Sequence, residues 1–146
     1  MVRNKTNSSA DSHKRRTTSK PNRKDWRSLP SDQWNCATFH SFFADMNREK
    51  YGAEPYVPLR NWGFEQRQLK SAIERYGPEV VREVCEQAFA TYRPSRDYPQ
   101  LNAGFVLSYM AASLLPRILA DREAVKRRFE DVARERPDMD ELIAQL

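Results

Sequence analysis

Residues that could bind a metal ion or act as nucleophiles are scarce in this chain. Cys36 and His40 are four positions apart, so a helix would place both on one face, and Cys85 could approach from another helix. Three potential ligands are too few for a closed structural zinc site. His13 and His40 are the two histidines, and a catalytic triad would have to include His40. No phosphate-binding loop or dinucleotide-binding fingerprint is present. We therefore predict no metal, no cofactor and no enzymatic activity, with both cysteines serving as small core residues.

Basic and aromatic side chains alternate in residues 91–100, TYRPSRDYPQ. Arg93 and Arg96 are interleaved there with Tyr92, Tyr98 and two prolines. Single-stranded nucleic acid needs this combination, because cations bind its phosphates and aromatic rings stack on its bases. Arg93, Arg96 and Tyr98 are therefore candidate nucleic-acid-binding residues. The alternative is a surface loop whose tyrosines cover neighbouring helices.

The first 27 residues carry the basic charge of the chain. They contain nine of the 25 Lys and Arg residues and two of the 20 acids, so their net charge is +7 and that of the remainder is −2. They also have almost no apolar side chains, and we predict that this tail is disordered. It could bind nucleic-acid phosphates, or it could be a solvated tail that aids solubility. The candidate phosphate-binding residues here are Lys14, Arg15, Arg16, Lys20, Arg23 and Lys24.

Two amphipathic helical patterns meet at a Gly-Pro pair within residues 61–92 and must position the residues named above. Gly77 can take the left-handed conformation that ends a helix, and Pro78 suits the first turn of the next. The helix that begins at Pro78 is the third of the predicted helices. Its polar face holds three glutamates and one arginine, so it would repel DNA phosphates. The helix before Gly77, the second of the predicted helices, is more basic, and its Arg67 and Lys70 complete the set of candidate nucleic-acid-binding residues.

The helices on either side of this pair are also predicted from apolar spacing. Ser31 is the expected N-cap of a first, core helix, whose buried face would contain Trp34 or Cys36, then Phe39, Phe42, Phe43 and Met46. Asn102 should cap a fourth helix, which is apolar on more than one face and is therefore predicted to be the most buried. Pro116 should kink or end it. A further helix over residues 117–136 has a narrow apolar stripe, Ile118, Val125, Phe129 and Val132, which suits a peripheral helix or a partner contact.

These elements predict an all-α fold, a compact bundle of four to six helices. We divide the chain into a disordered basic tail (1–27), a helical core domain (28–120) and a charged C-terminal helical extension (121–146). Polar residues and Pro116 interrupt the longest apolar run, residues 103–119, and the N-terminus lacks the apolar segment of a secretory signal. We expect a cytoplasmic protein with no membrane contact and no small-molecule substrate.

Three stretches of the body resemble a known family: WNCATFHSFFADMNREKYG, PLRNWGFEQRQLKSAIERYGPE and YRPSRDYPQLNAGFVLSYM. In pattern and order, residues 34–119 resemble small replication-associated proteins of bacteriophages of Gram-positive bacteria, of the helicase-loader or replisome-organiser type. The resemblance implies an adaptor, in the cytoplasm of the host cell, that joins a replicative helicase or another replication protein to single-stranded DNA. It brings no site residues with it, and the absence of an ATP-binding motif excludes an ATP-using loader.

The first functional hypothesis is thus a non-enzymatic DNA-replication accessory protein, which binds a protein partner through its helical body and nucleic acid through its basic tail. A second hypothesis is a transcription regulator or an inhibitor of a host machine that docks on RNA polymerase or another enzyme. A third is a structural or assembly protein whose C-terminal helix self-associates.

Overall fold

A computed structural model of the chain describes residues 20–135 and Ile143, and within these residues it contains helices and no strands. The predicted all-α bundle is confirmed. Its helices are α1 (Cys36–Tyr51), α2 (Trp62–Tyr76), α3 (Pro78–Thr91) and α4 (Ala103–Glu135), preceded by a short 3-10 helix, Ser31–Gln33. Predictions for residues 1–19, including Lys14, Arg15 and Arg16, lie outside the described residues.

The first helix begins later than the sequence suggested. The prediction of Ser31 as its N-cap was wrong, because Ser31 opens the 3-10 helix and the chain then runs extended through Trp34. The cap is Asn35, whose side chain accepts a hydrogen bond from the Thr38 N–H while the Thr38 hydroxyl accepts one from the Asn35 N–H, both at 3.1 Å. This reciprocal pair satisfies two backbone donors that a helix start leaves free. At the other end Gly52, with a φ of 64°, closes α1.

The Gly-Pro junction between α2 and α3 is confirmed. Asn61 caps α2 by accepting a 2.8 Å hydrogen bond from the Phe64 N–H. Gly77 ends the helix with a φ of 88°, which favours glycine, and its N–H binds the Ile73 carbonyl at 2.8 Å. Pro78 is the first residue of α3. The two helices therefore meet at a fixed corner and pack on each other.

Aromatic rings form the centre of the core. Phe42 and Phe43 of α1 pack against Phe89 of α3, with ring centroids 5.5 and 5.1 Å apart. Trp34 packs edge-on against Phe39 at 5.0 Å. These residues are all buried, which confirms the predicted core face of the first helix.

The most buried helix is α3, and the prediction that the fourth helix would hold this position was wrong. α3 packs against α2, α4 and the 3-10 helix, so it has neighbours on several sides. It buries Val80, Val81, Val84, Cys85, Ala88 and Phe89. α4 buries mainly small residues near its start and leaves Phe105 and Tyr109 exposed.

Trp26 docks the end of the basic tail on α1. Its ring lies 5.0 Å from the Phe42 ring, and its indole N–H donates to the Asp45 carboxylate at 2.8 Å. The Ser41 hydroxyl also donates to the Lys24 carbonyl at 2.9 Å. Packing on the bundle therefore begins before residue 27, the predicted end of the tail, because Trp26 supplies the apolar surface that the preceding residues lack.

The predicted fourth and C-terminal helices are a single helix, α4, which crosses the expected boundary at residue 120. It contains a π turn, Val106–Met110, and continues through Pro116 without ending. Ala112 and Pro116 both lie on the exposed side, so water can bind the Ala112 carbonyl, which the proline leaves without an N–H donor.

By length and composition alone, α4 would be able to cross a membrane. The core helix of a soluble protein passes the same test, so this is weak evidence. Within the bundle, Val106, Ala111 and Ile118 of this helix are buried against neighbouring helices.

Candidate nucleic-acid interface

The connection between α3 and α4, residues 92–102, forms a braced loop. The Tyr92 hydroxyl lies 2.6 Å from the Tyr98 carbonyl and 3.1 Å from the Gln100 carbonyl. Ser95 and Tyr98 exchange backbone hydrogen bonds of 3.1 and 3.2 Å, and the Tyr98 N–H also approaches the Ser95 hydroxyl. The tip of the loop is therefore held in one shape by its own hydrogen bonds.

The end of this loop is tied to the rest of the bundle by two amide side chains. Buried Asn47 of α1 binds both the N–H and the carbonyl of Leu101, each at 2.8 Å. The Gln100 amide donates to the Pro55 carbonyl, and its oxygen accepts from the Val57 N–H at 3.0 Å. These bonds fix the loop beside the connection between α1 and α2.

Three exposed aromatic side chains lie on this loop and the start of α4, and we call them the aromatic surface: Tyr98, Phe105 and Tyr109. Tyr98 is 72% exposed, Tyr109 is 67% exposed and Phe105 is 38% exposed. The Phe105 and Tyr109 rings are 5.2 Å apart, and Tyr92 packs on Phe105 at 6.5 Å. Exposed rings on a braced scaffold can stack on bases with little ordering cost.

The π turn of α4 begins directly after Phe105. In this turn the Ala111 N–H bonds to the Val106 carbonyl, five residues earlier. The extra residue places Val106 and Ala111, five positions apart, on the buried side of the helix, while Phe105 and Tyr109, four positions apart, lie together on the outside. Single π turns within α-helices are frequent at functional sites.

Arg93 and Arg96 supply positive charge beside the aromatic surface. Both side chains are exposed. In the part of the chain that the structure describes, neither forms a salt bridge, whereas Arg27, Arg82 and Arg122 are each paired with a glutamate. Both guanidinium groups can therefore bind phosphate without first breaking an ion pair among these residues.

Tyr98 separates two grooves. One has a volume of about 530 Å³ and is lined by Leu59, Tyr92, Arg93 and Phe105 as well as Tyr98. The other, of about 520 Å³, lies on the far side, towards Pro55, Val57 and Pro99. A single strand of nucleic acid that follows the loop could place successive bases on either side of the Tyr98 ring.

The structure does not bring the other described candidates to these grooves. Arg67 and Lys70 are exposed on the outer face of α2, opposite the face that buries Glu65 and Leu69, and neither lines a groove beside Tyr98.

The described residues of the N-terminal segment also lie elsewhere, along α1. Lys20, Arg23 and Lys24 are exposed there, and the Arg23 guanidinium donates to the Gln33 carbonyl. These three residues form a basic region that is separate from the grooves beside Tyr98.

Sequence reasoning missed Phe105 and Tyr109, which it assigned to a buried helix. The available signal was that the start of α4 is apolar on more than one face. Such a helix either lies in the middle of a bundle or exposes one apolar face, and the structure has the second arrangement.

A buried carboxylate near the start of α4 was also missed, because one glutamate in an amphipathic helical pattern carries no local signal of burial. Glu65 is fully buried. One of its oxygens accepts from the Tyr56 hydroxyl at 2.6 Å and lies 3.1 Å from His40 Nε2. The other accepts from the backbone N–H groups of Leu59 at 2.9 Å and Gly104 at 2.8 Å. Burial alone would raise the pKa of Glu65, but these four hydrogen bonds outweigh it and lower the pKa below its ordinary value.

This cluster positions the interface. Tyr56 also accepts the Ala103 N–H at 2.9 Å, so the first residues of α4 are held by both Glu65 and Tyr56. Burial raises the pKa of the Tyr56 hydroxyl, and the adjacent Glu65 carboxylate raises it further, so this hydroxyl stays a donor. The cluster therefore fixes the direction in which α4 leaves the bundle and presents Phe105.

The cysteines have no shared site. Cys85 is fully buried, as predicted, and burial raises the pKa of its thiol. Cys36 is half-buried and approaches the Gln66 carbonyl at 3.5 Å. Among residues 20–135 and 143, no group of three or more His, Cys, Asp or Glu residues is placed to hold a metal ion.

A comparison with protein-family models and searches of curated proteins and of solved structures each gave no match.

Proposed function

We propose that this protein binds single-stranded nucleic acid through the braced loop and the aromatic surface. The observation that carries the proposal is the exposure of Tyr98, Phe105 and Tyr109 beside Arg93 and Arg96. The rings stack on bases and the arginines bind phosphates, while the basic N-terminal residues add attraction at longer range.

A single strand fits this surface better than a duplex does. Residues 28–146 carry a net charge of −2, and the exposed face of α3 contributes Glu79, Glu83 and Glu86. A broad duplex-binding face would need a basic body. A single strand needs fewer phosphate contacts, because its unpaired bases can stack on aromatic side chains.

The test is a titration of the full chain into a fluorescently labelled oligonucleotide, single-stranded or duplex, followed by fluorescence anisotropy. Tyr98→Ala and Tyr109→Ala should each weaken single-strand binding by about 1–3 kcal/mol, the range for one stacked base, which is about 5- to 150-fold. Both side chains are exposed, so circular dichroism should show an unchanged fold.

A matched control is Arg127→Ala. This residue is exposed on α4, about 33 Å along the helix axis from Phe105, and its loss removes one positive charge as Arg93→Ala does. Arg93→Ala should weaken binding more than Arg127→Ala. If both tyrosine variants bind the single strand as the unaltered chain does, the aromatic surface is not the binding site.

We infer that the biological role is that of a non-enzymatic replication accessory protein in the cytoplasm, which joins single-stranded DNA to a helicase or another replication protein. This role rests on the resemblance of residues 34–119 together with the proposed single-strand surface. A pull-down with the full chain tests it. Recovery of a replicative helicase supports the role, and recovery of RNA polymerase instead would favour a transcription regulator or an inhibitor of a host machine.

A further inference from the structure

An apolar seam runs along α4 and continues past the end of the bundle. Its members alternate at spacings of four and three residues, the spacing of a coiled-coil core: Ala111, Leu115, Ile118, Arg122, Val125, Phe129 and Val132. The first part packs on the bundle, where Ile118 is fully buried. Beyond Arg122 the seam is uncovered, and Phe129 and Val132 are 73% and 64% exposed.

We propose that the uncovered seam binds the same seam of a second copy of this chain, as an antiparallel pair of helices. The proposal concerns residues 125–135 and is independent of the nucleic-acid surface. It rests on the position of α3, on the coiled-coil spacing and on the charges beside the seam.

The position of α3 determines the orientation of the pair. The Arg122 side chain binds the Glu83 carboxylate at 2.9 Å and approaches the Glu79 carbonyl at 3.4 Å, so the start of α3 lies beside Arg122. A parallel second helix would bring its own bundle into the space that α3 occupies. In an antiparallel pair, the bundle of each copy lies beyond the end of the other copy's uncovered seam, so this clash does not arise.

The charges beside the seam determine its register. If Phe129 packs on Val132 of the second copy, the flanking positions place Arg128 opposite Glu135 of the second copy, twice by symmetry. If Phe129 instead packed on Val125 of the second copy, Arg128 would face Arg128 and Lys126 would face Lys126, which is repulsive. The first register is therefore favoured.

Two further observations fit a self-pair. Arg128 and Glu135 are exposed, and neither has a salt-bridge partner among the residues that the structure describes. The segment 121–135 contains five acidic and five basic residues, so it has no net charge and two copies do not repel each other overall.

The experiment is sedimentation equilibrium of the full chain over a dilution series. The unaltered chain should change reversibly between monomer and dimer. Phe129→Asp should be monomeric throughout, because it places a charge in the centre of the pair. Arg128→Glu should weaken the dimer by about tenfold or more, since it creates two repulsive pairs. The double variant Arg128→Glu with Glu135→Arg should restore it.

The matched control is Arg127→Glu, the same charge reversal on the outward side of the helix, and it should leave the dimer unchanged. The proposal is overturned by a monomer at every concentration, or by a dimer that persists in Phe129→Asp. It is also overturned if Arg127→Glu and Arg128→Glu act alike, or if the double variant fails to restore the dimer. All these positions are exposed, and circular dichroism confirms that each variant is folded.

Discussion

The hydroxyl of Tyr56 donates a 2.6 Å hydrogen bond to the carboxylate of Glu65, and this pair joins three parts of the bundle. Glu65 lies on α2, and Tyr56 lies on the connection that precedes it. Together they bind the backbone N–H groups of Ala103 and Gly104, the first two residues of α4. The buried charge of Glu65 is stable here because each of the four polar groups in contact with its carboxylate donates a hydrogen bond to it.

Glu65→Gln should destabilise the fold and change its dependence on pH. The pKa of Glu65 is lowered in the folded chain, so its contribution to stability is present above its unfolded pKa of about 4.3 and is lost as the pH falls through the folded value. Near pH 7 the variant should lose about 1–3 kcal/mol, since an amide cannot accept from all four donors.

Urea unfolding at a series of pH values checks this prediction. His40 and Tyr56 are the titratable side chains in contact with Glu65 and are unchanged in the variant. The free energy of unfolding should fall less steeply below pH 5 in Glu65→Gln than in the unaltered chain. Equal slopes would mean that the Glu65 carboxylate does not contribute to stability in this way.

Tyr56→Phe should cost about 1–3 kcal/mol, because it leaves the buried Ala103 N–H without an acceptor and removes one donor from Glu65. Tyr51→Phe is the matched control, since its hydroxyl makes a single weak 3.4 Å contact with the Phe89 carbonyl and lies in a half-buried position. Thermal unfolding of both variants should show a clearly larger loss for Tyr56→Phe. Similar losses would argue against the Glu65 cluster as the anchor of α4.

Gly104→Ala should also destabilise the start of α4. An added Cβ would lie 2.5 Å from Leu59 Cβ, so the helix would have to move away from the connection before α2, at about 1–3 kcal/mol. At Gly63 the nearest atoms, Arg67 Nη1 and Asn61 Oδ1, are 3.4 Å away, which is an ordinary van der Waals contact. Gly63→Ala should therefore be neutral or stabilising in chemical unfolding. A Gly104→Ala variant as stable as the unaltered chain would show that this close approach is not required.

The parts of the fold that sequence predicted correctly depend on local signals. Gly77 and Pro78 determine the corner between α2 and α3 through their own backbone preferences, and the spacing of Phe39, Phe42 and Phe43 identifies the core face of α1. The prolines among the arginines and tyrosines of residues 91–100 predicted a loop, and residues 92–102 form the connection between α3 and α4. These signals need no knowledge of which helices become neighbours.

The errors concern residues whose surroundings come from distant parts of the chain. The buried Glu65 carboxylate accepts a hydrogen bond from Gly104, 39 positions later, which offsets the cost of its burial. Trp26 is packed because Asp45 and Phe42 lie beside it. Val106 and Ala111 are both buried although they are five positions apart, because a π turn lies between them, and helical periodicity assumes a regular turn. Tertiary packing decides each of these cases.

Trp26→Ala should release the N-terminal segment from α1. It removes the hydrogen bond to Asp45 and the edge contacts with Phe42 and Trp34, so we expect a loss of about 2–3 kcal/mol for this half-buried ring. Arg27→Ala, which breaks an exposed salt bridge to Glu49, should cost less than about 1 kcal/mol. Limited proteolysis should cleave after Lys24 faster in Trp26→Ala. Equal cleavage rates would show that Trp26 does not hold the segment.

The salt dependence of binding should separate the tail from the loop. A chain without residues 2–19 loses five basic residues but keeps the packed segment around Trp26. If all five bind phosphate, the slope of log affinity against log salt should fall by up to about 3.5, at about 0.7 per contact on a single strand. Arg93→Ala with Arg96→Ala should lower the slope by about 1.4 in either chain.

Tyr98→Ala should weaken binding without changing the slope, because stacking releases no counterions. Anisotropy titrations at several salt concentrations measure all three effects. If the truncated chain keeps the full slope, the tail does not contact phosphate. If Arg93→Ala with Arg96→Ala instead leaves the slope unchanged, the loop does not contact phosphate. The phosphate contacts would then come from the tail alone.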